Sequence, residues 1–192
     1  MKPGGGKRKG SQFERSLAKK LSLWWTDGER SDIFWLSSGS GARHTTRQKS
    51  NESTANSAGD LNVLDLIGQP LIDLFVIEAK CGYTKEIDVL AIIDSKKKNH
   101  VLFEWILKAE QEAAISGRKG AFLIFKRDRH QECIMMERDL FSKIIPYCGN
   151  CPAEYLQIYT DYIILSLDDF LSWVDRDSIE VIAKDFKHDR SS

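Results

Sequence analysis

Apolar residues recur at helical spacing near the start of the chain. Phe13, Leu17, Leu21 and Trp24 lie three or four positions apart and predict a helix. Ser11-Gln12-Phe13-Glu14 supplies its opening as a capping box, with Ser11 at the N-cap. Of Trp24 and Trp25, at least one should be buried. Residues 33–36 read as a short strand that enters a Ser/Gly-rich turn at 37–41, and residues 42–58, polar and almost without large apolar groups, predict a mobile loop that could order on a ligand. Two strands are expected next, at 60–66 and 71–79, joined as a hairpin through Ile67-Gly68-Gln69-Pro70. After Lys96-Lys97-Lys98 the pattern turns helical over 103–116, with Gly117 in the C-cap position. Residues 121–125 (AFLIF) suit the interior of a sheet, and 133–136 can pair with them. A helix at 139–145, a turn at 148–152, a strand at 162–165 and closing helical segments complete the pattern. This order predicts an α/β domain with a mixed central sheet flanked by helices.

The chain has 192 residues, enough for one domain with a substantial core, and its ordinary apolar and charged fractions exclude wholesale disorder. Lys and Arg balance Asp and Glu overall, but not locally. Lys2, Lys7, Arg8, Lys9, Arg15, Lys19 and Lys20 crowd the first twenty residues, whereas 168–189 are rich in Asp and Glu. We expect residues 1–10 to form a flexible basic arm. No apolar run is long enough to span a bilayer, and the basic, Gly-rich start lacks the apolar core of a secretory signal. Four cysteines without a dense framework suit reduced thiols. The expectation is a cytoplasmic protein with no membrane partner.

Candidate chemistry changes this picture. The apolar run at 71–80 closes on Glu78-Ala79-Lys80. Alternation along a strand puts Glu78 and Lys80 on one face, in the row of Ile72, Leu74 and Val76. Gly59-Asp60 lies upstream, and Glu14 lies beside the buried stripe of the first helix. Two acids and a lysine are what metal-assisted phosphodiester hydrolysis requires, because a divalent ion activates water and neutralises phosphoryl charge. Asp60, Glu78 and the Ala79 carbonyl are the expected ligands of Mg2+ or Mn2+. Lys80, held charged by the acids, would orient the attacking water or stabilise the transition state, and Glu14 would bind a second ion. Gln111 shares a helical face with Leu107, Ala114 and Ile115 that should point inward, where it could position a water. Its neighbours Glu110 and Glu112 are alternatives. Lys7, Arg8, Lys9, Arg15, Ser38, Ser40, Arg43 and Arg47 are candidate DNA contacts, supplying phosphate affinity without base readout.

The order Glu14, Gly59-Asp60, Glu78-x-Lys80, Gln111 resembles the PD-(D/E)xK nuclease superfamily, most of all its archaeal-type and phage Holliday-junction resolvases. Gly10-Ser11-Gln12-Phe13-Glu14-Arg15 and the Ser/Gly-rich turn carry the same likeness, which covers about residues 8–126. It implies a restriction-endonuclease-like core at 11–130, with 131–192 as an extension packed on the same domain. It also implies a homodimer acting on branched DNA in the cytoplasm of a bacterium or phage-infected host. A departure is Gly59, where the superfamily has proline before the aspartate.

Other readings compete for the same residues. Ser11-x-x-Glu14 accounts for Glu14 as a cap, and an acid-x-Lys pair can be an ordinary strand-end ion pair. Asp65 and Asp73 rival Asp60 as ligand. His130, Cys133, Cys148 and Cys151 could form a structural zinc site, although Gly149 and Pro152 explain that turn equally well. A restriction-type or DNA-repair nuclease, or a non-catalytic DNA-binding protein on the nuclease scaffold, remains an alternative function.

Overall fold

The structure is a computed structural model that describes residues 5–36, 58–83, 87, 100–159 and 161–189, with the side chains of 5–9, 36 and 186–189 left outside. Helix α1 runs over Gly5–Trp25. It therefore starts six residues before the predicted cap, and Ser11 lies inside it, its carbonyl accepting from Arg15 Nε at 3.2 Å. Residues 5–10 of the expected arm are helical in backbone. Phe13, Leu17, Leu21 and Trp25 are buried, while Trp24 is half-buried and donates its indole N–H to the Val174 carbonyl. Buried Ser22 ties the helix onward: its hydroxyl accepts the N–H groups of Ile33 and Phe34 at 3.1 and 2.9 Å.

Strand β1 (Phe34–Leu36) pairs antiparallel with β2 (Leu61–Val63) in a separate two-stranded ribbon. The hairpin expected across residues 67–70 does not form. A 3-10 turn at Leu66–Gly68 leads instead into helix α2 (Gln69–Leu74), and only then does β3 (Phe75–Cys81) begin. Pro70 occupies the first turn of α2, where a missing N–H costs nothing. Leu71, Ile72 and Leu74 are all buried, a pattern that a helix and a strand can both produce over so short a run. Ile72 and Leu74 are thus not in the strand row of Glu78, whose β3 neighbours on that face are Val76 and Lys80.

Helix α3 (Val101–Ser116) ends as predicted on Gly117, whose left-handed backbone (φ 70°, ψ 25°) returns its N–H to the last turn. Strands β4 (Gly120–Lys126) and β5 (Glu132–Glu137) follow, then α4 (Arg138–Cys148), β6 (Tyr155–Ile158), β7 (Tyr162–Ser166), α5 (Leu167–Trp173) and α6 (Arg176–Asp189). The main sheet has the order β3-β4-β5-β7-β6, with β3 and β4 parallel and the other pairs antiparallel. This is a mixed α/β architecture consistent with a restriction-endonuclease-like core. β6 was not foreseen, because an edge strand with mostly exposed side chains shows no alternating apolar pattern.

One face of the sheet, including Ile77, Phe122 and Ile134, packs against α1, α2, α4, α5 and α6. The other, including Val76, Leu123 and Met135, packs against α3. β3 is an end strand of its sheet, and the β1–β2 ribbon lies along that edge through the bond from Asp60 N–H to the Ile77 carbonyl, 2.8 Å. No helix among the described residues is long and apolar enough to cross a membrane.

Candidate active site

The edge of β3 positions the acids. Asp60 N–H donates to Ile77, and the Asp60 carboxylate accepts the Ala79 N–H at 3.0 Å. Asp60 is thereby buried and fixed on the peptide between Glu78 and Lys80. A strand residue sends its N–H and C=O to the same side, so the Ala79 carbonyl leaves β3 on the edge where Asp60 lies. Lys80 Nζ ion-pairs with Glu78 on the α3 face of the strand.

The electrostatics record this convergence. Burial and repulsion from Asp60 push the Glu78 carboxyl up to about 7, against the pull of Lys80 and Lys108. Desolvation works against the Lys80 ammonium, but Glu78 and Asp60 outweigh it and hold the group charged, above its ordinary value. Glu14, half-buried on α1, is raised by burial and by Asp60, with Lys80 and Arg15 opposing. With Ser11 inside the helix, the capping-box account of Glu14 lapses. The described residues contain no group of three or more His, Cys, Asp and Glu close enough to hold a metal. The candidate centre is accordingly a two-carboxylate site with Glu14 in electrostatic range, a donor set that suits a cation keeping most of its own waters.

Gly59 brings the aspartate in. Its φ is +76°, and a Cβ there would lie 2.9 Å from the Ile77 carbonyl oxygen and from Val76 Cγ1. Only glycine lets this turn approach the strand so closely. Buried Glu112 of α3 accepts the Gly59 N–H at 3.1 Å, and Arg118 donates to the carbonyls of Ala58 and Phe75 at 3.1 and 3.0 Å. The turn that carries Asp60 is clamped between α3 and β3.

Gln111 does not join this site. It is exposed, and the face that it shares with Leu107 and Ile115 points to solvent. Instead Trp105, Lys108 and Glu112, spaced at i, i+3 and i+7, form the stripe of α3 that runs past the site: Trp105 packs on Tyr83, Lys108 acts on Glu78, and Glu112 holds Gly59. That spacing was the available signal. The rivals are engaged elsewhere. Asp65 pairs with Arg30 at 2.5 Å and accepts from Ile67 N–H, and Asp73 accepts from Gln69 Nε2 at 2.7 Å.

The zinc quartet does not assemble. Cys133 packs with the α3 side of the sheet, whereas Cys148 and Cys151 pack on the opposite face, and His130 lies in an exposed turn. Burial pushes the Cys133 and Cys148 thiols up, the reverse of what a thiolate ligand needs. Among the DNA-contact candidates, Arg15 is exposed on α1, while Lys7, Arg8 and Lys9 belong to α1 by backbone with side chains outside the described set. Ser38, Ser40, Arg43 and Arg47, the loop at 42–57 and Lys96–Lys98 lie outside the described residues.

A family model described as "Phage putative PDDEXK endonuclease" matches residues 5–180. No curated protein and no solved structure matches the chain.

Proposed function

Because the chain belongs to the phage PDDEXK endonuclease family, a group of nucleases acting on DNA, we propose that it is a Mg2+- or Mn2+-dependent endonuclease selective for branched DNA such as four-way junctions. One observation carries this reading. The buried Asp60 carboxylate is bonded to the peptide that separates Glu78 from Lys80, so two acids and a cation meet at one strand edge.

Asp60 and Glu78 would hold the ion, with the Ala79 carbonyl beside them. Their mutual repulsion is the charge that a dication relieves, which is why the donor set fits. When bound, the ion would lower the pKa of a water and neutralise charge on the phosphoryl oxygens. Lys80 supplies the remaining positive charge, aimed at the developing oxyanion or at the attacking water. Glu14, on α1 and in electrostatic range of Asp60 and Lys80, would assist as a second-ion ligand. Arg15 and the basic residues before it would meet phosphates flanking the cut. Two coordinated incisions across a junction match a two-fold homodimer.

The deciding assay offers the parent chain a four-way junction and a linear duplex of the same sequence, with and without magnesium. Cleavage requires the metal and favours the junction. Equal cleavage of both DNAs keeps the nuclease and removes the junction preference, in favour of a restriction-type or repair enzyme. Binding without cleavage under any metal condition leaves only a DNA-binding scaffold.

Glu78 also sets a pH dependence. Its folded pKa lies near 7, above the ordinary carboxylate value, so without a cation the folded state holds one more proton than the unfolded state between about pH 4.5 and 7. Stability from this group therefore falls as pH rises through that window. An ion must displace that proton below pH 7, so apparent metal affinity drops about tenfold per unit there and levels off above it. The magnesium-induced rise in Tm should be larger at pH 8 than at pH 5.5, and Glu78→Gln should flatten the difference. A rise independent of pH would show that Glu78 is not a ligand.

A further inference from the structure

Immediately after β3 the backbone turns through two consecutive left-handed residues, Gly82 (φ 100°) and Tyr83 (φ 49°). Glycine adopts this conformation freely, but a tyrosine does so only where its surroundings hold it. Here three contacts do. Gly82 N–H donates to the Lys126 carbonyl at 3.0 Å, Ile87 N–H donates to the Tyr83 carbonyl at 2.9 Å, and the ring stands edge-on to Trp105 with centroids 4.7 Å apart and planes at 67°. Tyr83 is nevertheless 47% exposed. Exposed tyrosines are common and usually mean nothing. This one is fixed in an unfavourable backbone conformation, buttressed by a second aromatic, and within electrostatic reach of Lys80. One turn along α3 from Trp105, exposed Lys108 lies in range of Glu78.

A rigid, half-open aromatic surface with cations at its border has the chemistry of a nucleobase platform. It presents a π-face to a base while lysines meet the neighbouring phosphates. Paired bases inside a duplex keep their faces on one another, so the platform can engage only a base that has left the stack. We propose that Tyr83, braced by Trp105, stacks on an unpaired base beside the scissile phosphate and thereby selects DNA that is open at the cut. This rests on the nuclease reading of the Asp60, Glu78 and Lys80 site, and it names the feature of branched DNA that the site would recognise.

The test uses the full chain with two DNAs sharing one cleavage sequence, a continuous duplex and a fork whose bases are unpaired at the cut. Tyr83→Ala should lower kcat/KM on the fork about 5- to 150-fold more than on the duplex, the range that stacking on one base supports. Tyr83→Phe keeps the ring and should keep the parent's fork-to-duplex ratio. With calcium in place of magnesium to hold off cleavage, 2-aminopurine at the flanking position of the fork should be quenched by the parent and by Tyr83→Phe, and not by Tyr83→Ala. Equal losses on both DNAs, or quenching that survives Tyr83→Ala, overturn the stacking role. A parent that cuts neither DNA overturns the nuclease reading instead, and the quenching comparison then decides the platform by itself.

Discussion

Lys80→Ala and Asp60→Asn should each lower single-turnover DNA cleavage by about a hundred- to ten-thousandfold, the range measured when a charged group serving the transition state is removed. The two variants fail for different reasons. Asparagine is nearly isosteric with aspartate and retains an oxygen to accept the Ala79 N–H, so the turn at 58–60 should keep its place while the site loses a negative ligand. Lys80→Ala leaves Glu78 buried without its ion-pair partner. Burial and Asp60 then act on it unopposed by its nearest cation, so Glu78 takes up a proton more readily and loses its capacity to hold a dication at neutral pH. Melting temperatures near the parent's would confirm that both chains fold. Cleavage at the parent's rate by either variant would remove that residue from the chemistry.

Gly59→Ala should be nearly as damaging, through geometry rather than charge. The new Cβ would sit 2.9 Å from the Ile77 carbonyl oxygen, an atom of the strand backbone that cannot rotate away. A left-handed φ for a non-glycine residue costs about 1–3 kcal/mol before that collision is counted. Relief requires lifting the turn from β3, which breaks the bonds from Asp60 to Ile77, from Ala79 to Asp60 and from Gly59 to Glu112. The expected result is a lower Tm, by about 2–4 °C for each kcal/mol in a chain of this size, together with loss of cleavage comparable to Asp60→Asn. Glu112→Ala attacks the same clamp from α3 by leaving the buried Gly59 N–H without its acceptor, a cost of about 1–3 kcal/mol. Glu112→Gln retains an acceptor oxygen and should be milder. If Gly59→Ala melts and cuts like the parent, the close approach to β3 does not position Asp60.

Gly59 also explains the departure from the superfamily's proline. Proline is confined to φ near −65° and could not adopt the +76° found here. Where the family motif would have a rigid residue, this chain uses one without a side chain and stiffens the turn externally with Glu112 and Arg118. Of the two clamp residues, Arg118 carries no local signal, and Glu112 is legible in the sequence only as an alternative to Gln111. Glu112 stands beside Gln111, and the two differ by one helical step of about 100°, so the choice between an inward and an outward residue depends on which stripe of α3 meets the sheet. Leu107, Ala114 and Ile115 suggested the wrong stripe, because apolar residues on that helix are not confined to its buried face.

Local patterns determined much without the fold. The stripe of α1, the buried run of β4, the pairing of β5 with it and the glycine that ends α3 follow from side-chain period and backbone preference, and these act within a few residues. Alternation likewise put Glu78 and Lys80 on one face, whatever lay around them. What only the tertiary structure decided was which distant segments meet: that 66–74 is helical, that β2 pairs with β1, and that Asp60 closes on Ala79 while α3 grips the turn behind it. Such choices turn on where apolar area is buried and which buried N–H finds an acceptor across dozens of residues. Those energies belong to the assembled core, so no local stretch of the chain encodes them by itself.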